Sequence, residues 1–241
     1  MELERHNEPL TQTKPWSEYT PEEREAIRNG QLNTLPTEFD VYCTGDFCSI
    51  EKGLRIPGNL YVSGNVTGRE ITVEGNCVIG GNADCYIMSV GNSLTVKGNV
   101  KCYTMSVDGN ITVSSCFKGY TVDVGGSITV DGDVDCFDIN IAGNFTVKGN
   151  VTFYTAEIDG NSTVTGNVNC SDIAVSGNLC IDGKIDSCSI SVDGNCIVLR
   201  SVESNTIDIG ELFDCFDVDS LGAVINASDF ICRQYYEGKE I

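Results

Sequence analysis

A Gly-Asn pair returns with a period of 17, at Gly143, Gly160, Gly177 and Gly194. The interval reaches well beyond the pair. Stepping by 17 from Val62 to Val198 meets an aliphatic side chain at every stop. The walks from Val66 to Val202, Ile71 to Ile207 and Val73 to Ile209 meet an apolar one every time. A unit this short cannot bury its own apolar face, so nine copies in register must stack on one another.

Within a unit the apolar positions alternate, as in Leu60–Val62 and Ile71–Val73, which is the period of a strand. Recurrent β-branched residues and two glycines per unit oppose a helix. The spacing predicts an all-β protein: a single-stranded β-solenoid, or β-helix, of about 17 residues per coil and nine or more coils, regular over 58–209. Gly64 to Gly183 and Gly75 to Gly194 mark two corners, where glycine and asparagine suit a backbone at positive φ. The second corner carries one irregularity, Gly91-Asn92, one residue early. A third bend near 69–70 closes a triangular cross-section.

A solenoid exposes apolar core and unpaired strand at its ends unless something covers them. Residues 1–38 read as an N-terminal extension with a short helix at about 20–29. There Thr20 is the N-cap, Pro21 the first helical residue, Glu23 the reciprocal cap and Gly30 the stop. Residues 39–57 read as one or two irregular leading coils, and 210–241 as a distorted last coil with a C-terminal cap.

The 35 acidic residues against 15 basic give a formal charge of −20, spread along the chain. Such a surface repels nucleic acid and anionic membranes. No apolar run is long enough to span a bilayer, and MELERHNEPL lacks the apolar core of a signal peptide. The expectation is a cytoplasmic protein without direct membrane insertion, whose 13 cysteines are reduced. Cys85, Cys102, Cys136 and Cys170 share one inward column, and Cys77 and Cys196 sit inward on another side.

Catalytic chemistry finds little to work with. The one histidine, His6, lies outside the repeat, which leaves no Ser-His-Asp or Cys-His pairing in the coils. Cys43 and Cys48 have no second pair to complete a zinc site. The aspartates of DGDVDCFD, Asp131 to Asp138, read as a solvated face rather than a calcium site. Hence no enzyme, no cofactor and no metal are expected. Thr95, Thr112, Thr129, Thr146 and Thr163 form an outward ladder, as ice-binding solenoids do, but the neighbouring column is mixed and charged. The candidate interaction stripe is Tyr86, Tyr103, Tyr120, Phe137 and Tyr154, five aromatics at the third bend.

The pattern GN-x-x-V-x-GN-V, repeated with this period in an acidic chain, resembles the bactofilins, polymer-forming bacterial cytoskeletal proteins. The resemblance covers roughly 58–209. It implies a compact right-handed β-helix that polymerises end to end without nucleotide and often associates with membranes. With only five prolines, the chain lacks the flexible Pro-rich tails of that group. The functional expectation is a non-catalytic, rigid acidic rod acting as a scaffold or self-assembling element. Its partner is a protein or a second copy, not nucleic acid. One alternative is a binding module for a protein or glycan, using the aromatic stripe, as in a phage or surface appendage. Another is an acidic mimic of DNA.

Overall fold

A computed structural model describes residues 11–12, 40–49, 53–218 and 224–232. The helix expected at about 20–29 and the tail from 233 lie outside these residues. The chain divides into two compact units between Asp131 and Gly132. Each unit is a parallel β-solenoid.

In the first unit, short strands at Val41–Cys43, Leu60–Val62, Cys77–Ile79, Leu94–Val96, Ile111–Val113 and Ile128–Val130 build one face. Eight-residue strands such as Val66–Val73, Ala83–Val90 and Val100–Val107 run along the other two. Each strand pairs in parallel with its equivalent in the next coil, so Val66 lies beside Ala83, and Ala83 beside Val100. The first coil is longer. Val41 pairs with Leu60 and Phe47 with Val66, a step of 19 that the Asn59–Asp40 and Asn65–Asp46 hydrogen bonds share. The regular step returns where Leu54 meets Ile71. The dipeptide Thr11–Gln12 pairs antiparallel with the strand at Val41.

The second unit repeats this scheme from Val134 through the strands at Phe145, Ser162, Leu179 and Cys196. Its last strand, Val224–Cys232, pairs with Thr206–Cys215, and the register shifts between Ile209 and Leu212. No helix occurs among the described residues.

The alternating pattern decides what is buried. Val62, Ile79, Val96, Val113 and Val130 are all sealed from solvent, and so are their equivalents Val147, Val164 and Ile181. Phe117, Phe145 and Phe213 are among the largest side chains to be fully enclosed. In its column Phe145 lies directly beside Ser162, a large residue against a small one. The Ser162 hydroxyl is buried without a hydrogen-bond partner.

The corners do not use the left-handed backbone expected of them. Among the described glycines only Gly45, at φ 96°, lies there. The reason for glycine is close approach instead. Gly81 donates its amide to the carbonyl of Gly64 one coil below (2.8 Å), and Gly98 donates in turn to Gly81 (2.9 Å). A Cβ on Gly98 would stand 2.6 Å from that same Gly81 oxygen, well inside any real contact. Backbone meets backbone here, and a side chain has no room.

Asparagine has a separate task. The Oδ1 of Asn65 accepts from both the backbone amide (2.8 Å) and the side-chain Nδ2 (3.1 Å) of Asn82. Asn82 does the same for Asn99. At the other corner of the second unit, Asn161, Asn178 and Asn195 form an equivalent ladder. Each rung caps an amide that the turn would otherwise leave to water. In the first unit both ladders begin with a group that only accepts: Asp40 receives Asn59, and Asp46 receives Asn65. The irregularity at Gly91-Asn92 is one of sequence only. Asn92 occupies the glycine position, donating to Gly75 O, and Ser93 takes the asparagine position on Asn76 Oδ1.

Candidate interaction surfaces

The third bend falls inside a long strand. In Ala83–Val90 the inward positions are Ala83, Cys85, Met88 and Val90, so the alternation breaks between 85 and 88. Pairing breaks there too: Cys85 pairs with Cys102 and Ile87 with Thr104, while Tyr86 and Tyr103 are skipped. The released residues point outward, and parallel coils place equivalent side chains directly over one another.

Rings so placed must stack. In the first unit Tyr86, Tyr103 and Tyr120 lie with centroids 4.9 and 4.7 Å apart and planes within 6°. In the second unit Phe137 and Tyr154 stack at 4.9 Å. All five stripe residues are exposed, by 39% for Phe137 to 52% for Tyr154. Their faces are spent on each other, so the ladder offers edges and phenol hydroxyls.

A further stack, Tyr42 on Tyr61 at 4.6 Å, is not visible in the repeat. Its members belong to the longer first step, so a walk at the regular period passes over the pair.

Beside the tyrosines of the first unit runs a groove of about 910 Å³. Its lining includes Arg69, Lys101 and Lys118 with Asp84, and Cys85 and Cys102 form part of its floor. Asp84 stands 3.8 Å from the Lys101 ammonium, with both side chains well exposed. An exposed pair of this kind holds little energy.

The buried thiols of the groove floor and the core are held in their protonated form. Burial pushes the thiol of Cys102 up to about 12, and does the same for Cys77 and Cys196. Burial likewise raises Cys170, to about 11, and drives Cys85 up further. These are protonated core thiols, not thiolates. The six inward cysteines singled out by sequence are buried, whereas Cys116, Cys188 and Cys232 are exposed. Among the described residues no three His, Cys, Asp or Glu side chains converge on one point. The Asp133 carboxylate is engaged by Asn150, and the Asp138 carboxylate accepts from the Thr155 hydroxyl. Nor is any described helix long and apolar enough to cross a membrane.

The last strand is the other unusual surface. Val224–Cys232 has a paired neighbour in Thr206–Cys215, yet Val224, Ile225, Phe230 and Ile231 are all exposed. Phe230 rests on the buried Phe213 at 5.2 Å and shows its outer side to solvent. The apolar columns read only raggedly past Ile209, because the register shift there displaces them.

Residues 88–186 match the bactofilin family, described as polymer-forming cytoskeletal. No curated protein matches the chain, and no solved structure does. The matched span and the parallel coils of constant period agree: this is a bactofilin-like β-solenoid, similar to a structural family rather than a catalytic one.

Proposed function

We propose that this bactofilin-like protein is a non-catalytic scaffold whose copies associate through the strand Val224–Cys232. One observation carries the reading: that strand leaves four large apolar side chains exposed. An uncovered apolar strand at the end of a sheet is a template for another chain. The strand at Val41–Cys43 differs, since Thr11–Gln12 already pairs with it. The second unit is therefore the one that recruits.

A second copy meets the exposed strand with its own Val224–Cys232, each covering Ile225 and Phe230 of the other. The cytoplasm is the compartment we assign. Cys85 and Cys102 stand side by side in parallel register, a geometry that does not suit a bridge, and a reducing compartment keeps such thiols as thiols.

The experiment is light scattering after size exclusion on the wild type and on Ile225→Asp/Phe230→Asp. The wild type elutes as an assembly. The variant keeps its far-ultraviolet spectrum, because both positions are exposed, and elutes as a smaller species. Assembly by the variant equal to that of the wild type would overturn the reading.

A further inference from the structure

The tyrosine row of the first unit starts from a cation. Gly68 pairs with Cys85 and Glu70 with Ile87, so Arg69 is skipped at the bend just as Tyr86 is. Followed along the coils, the bend reads Arg69, Tyr86, Tyr103 and Tyr120. Among the described residues Arg69 has no hydrogen bond, ion pair or ring contact. The neighbouring Glu70 carboxylate lies elsewhere, against Gly53 in the coil below. The corresponding row of the second unit, Phe137, Tyr154, Ser171 and Cys188, contains no cation.

The groove beside this row has the make-up of a small-molecule site. Its volume of about 910 Å³ falls in the range of ligand clefts, which are mainly apolar with a few placed polar groups. The three stacked tyrosines line it, and Cys85, Cys102 and Gly119 contribute to its floor. The Lys101 ammonium stands beside Asp84 at 3.8 Å, so what this residue adds to the lining is chiefly its methylene stem. Equivalent positions from Ser49 to Gly119 take part, which at about 4.8 Å per coil gives a length of about 19 Å. The site is elongated, apolar along its length and carries one unpaired guanidinium near one end.

We propose that this groove binds a long-chain fatty acid, with the carboxylate on the Arg69 guanidinium and the acyl chain along Tyr86, Tyr103 and Tyr120. A guanidinium matches a carboxylate through two parallel hydrogen bonds, and the donors of Arg69 are free to make them. An extended acyl chain is linear, as the groove is, and it covers thiols and ring edges that water otherwise wets. One cation at one end suits a ligand with one anionic head. The charge of −20 opposes a polyanion or an anionic membrane, whereas a single carboxylate beside Arg69 meets little of that repulsion. The groove belongs to the first unit and the strand Val224–Cys232 to the second, so ligand binding and self-association stand or fall separately.

The test is isothermal titration calorimetry on the full-length wild type and on Ile225→Asp/Phe230→Asp, which removes the exposed strand as a competing apolar site. The probes are sodium dodecanoate and sodium octanoate, each below its micelle concentration. Dodecanoate should bind once per chain in both proteins, and octanoate at least about tenfold more weakly because it buries a shorter chain. Arg69→Gln should weaken dodecanoate about tenfold by removing the charged donor. Lys101→Gln should leave the affinity within about twofold, since that ammonium is not the one that receives the head group. Arg69 and Lys101 are exposed, and circular dichroism confirms that each variant is folded. The proposal is overturned if the two probes bind equally, or if Arg69→Gln binds dodecanoate as the wild type does. Binding that disappears in Ile225→Asp/Phe230→Asp would place the ligand on the exposed strand and overturn it too. So would a chain that takes up no dodecanoate, whether or not it is retained by phosphatidylglycerol vesicles.

Discussion

The Gly-Asn corners and the aromatic bend both turn the chain, yet they hold the stack by different means. At the corners the coils approach so closely that carbonyl faces amide without intervening side chains, as from Gly166 to Gly149 at 3.1 Å. Asparagine then adds a directional ladder of hydrogen bonds, each rung donating downward and accepting from above. At the bend, pairing lapses for one residue in each strand, and rings stacked on the outside keep the coils in line. One device is steric and polar and narrows the choice of residue, with Asn92 and Ser93 among its few departures. The other is apolar, half exposed and tolerant.

Several substitutions separate these devices, set against the core beneath both. Val130→Asp places an unpaired charge in a column that is fully buried. It should cost several kcal/mol and unfold the first unit, seen as loss of the cooperative thermal transition. A folded mutant with unchanged melting would refute the inward assignment.

Alkaline pH attacks the same core. Burial raises Cys77 and Cys196 from 9.0 to about 12, so the protonated thiol is the form the folded state prefers. Their stabilising contribution is therefore intact below pH 9.0 and is lost as pH climbs towards about 12. Melting temperature should fall across that window, and Cys77→Ala/Cys196→Ala should flatten the fall. An equal slope in the variant would remove the thiols as its cause.

At the corner, Gly183→Ala sets a Cβ 2.2 Å from the Gly166 carbonyl oxygen. Overpacking of this kind should cost about 1–3 kcal/mol in denaturant unfolding. Asn161→Ala removes the acceptor for Asn178 without steric conflict, and about 1 kcal/mol should be lost because water partly replaces it. Tyr103→Ser, at the bend, should cost least, below about 1 kcal/mol, since the ring is 45% exposed. If Tyr103→Ser proved more damaging than Gly183→Ala, the contrast between the two devices would be reversed.

Much of this is legible in the sequence because a solenoid repeats its environment every coil. A period visible from Val62 to Val198 is a physical stack, so fold, inward columns and aromatic stripe can all be read from spacing. The purpose of glycine is not legible, for a definite reason. Glycine and asparagine are the residues that best tolerate positive φ, and sequence gives residue type without the coil lying below. Only the stacked backbone shows that Gly98 is excluded from bearing a side chain by the Gly81 carbonyl. Departures from the period are hidden as well. The longer first step conceals Tyr42 on Tyr61, and the shift at Ile209 blurs the strand that ends the second unit.

Self-association is the claim on which the functional reading stands, and direct imaging of the purified wild type tests it. Light-scattering mass taken on the same fractions as negative-stain micrographs should show assemblies well above the 25.9 kDa of one chain. A single uniform species at 25.9 kDa across the concentration range would contradict the account.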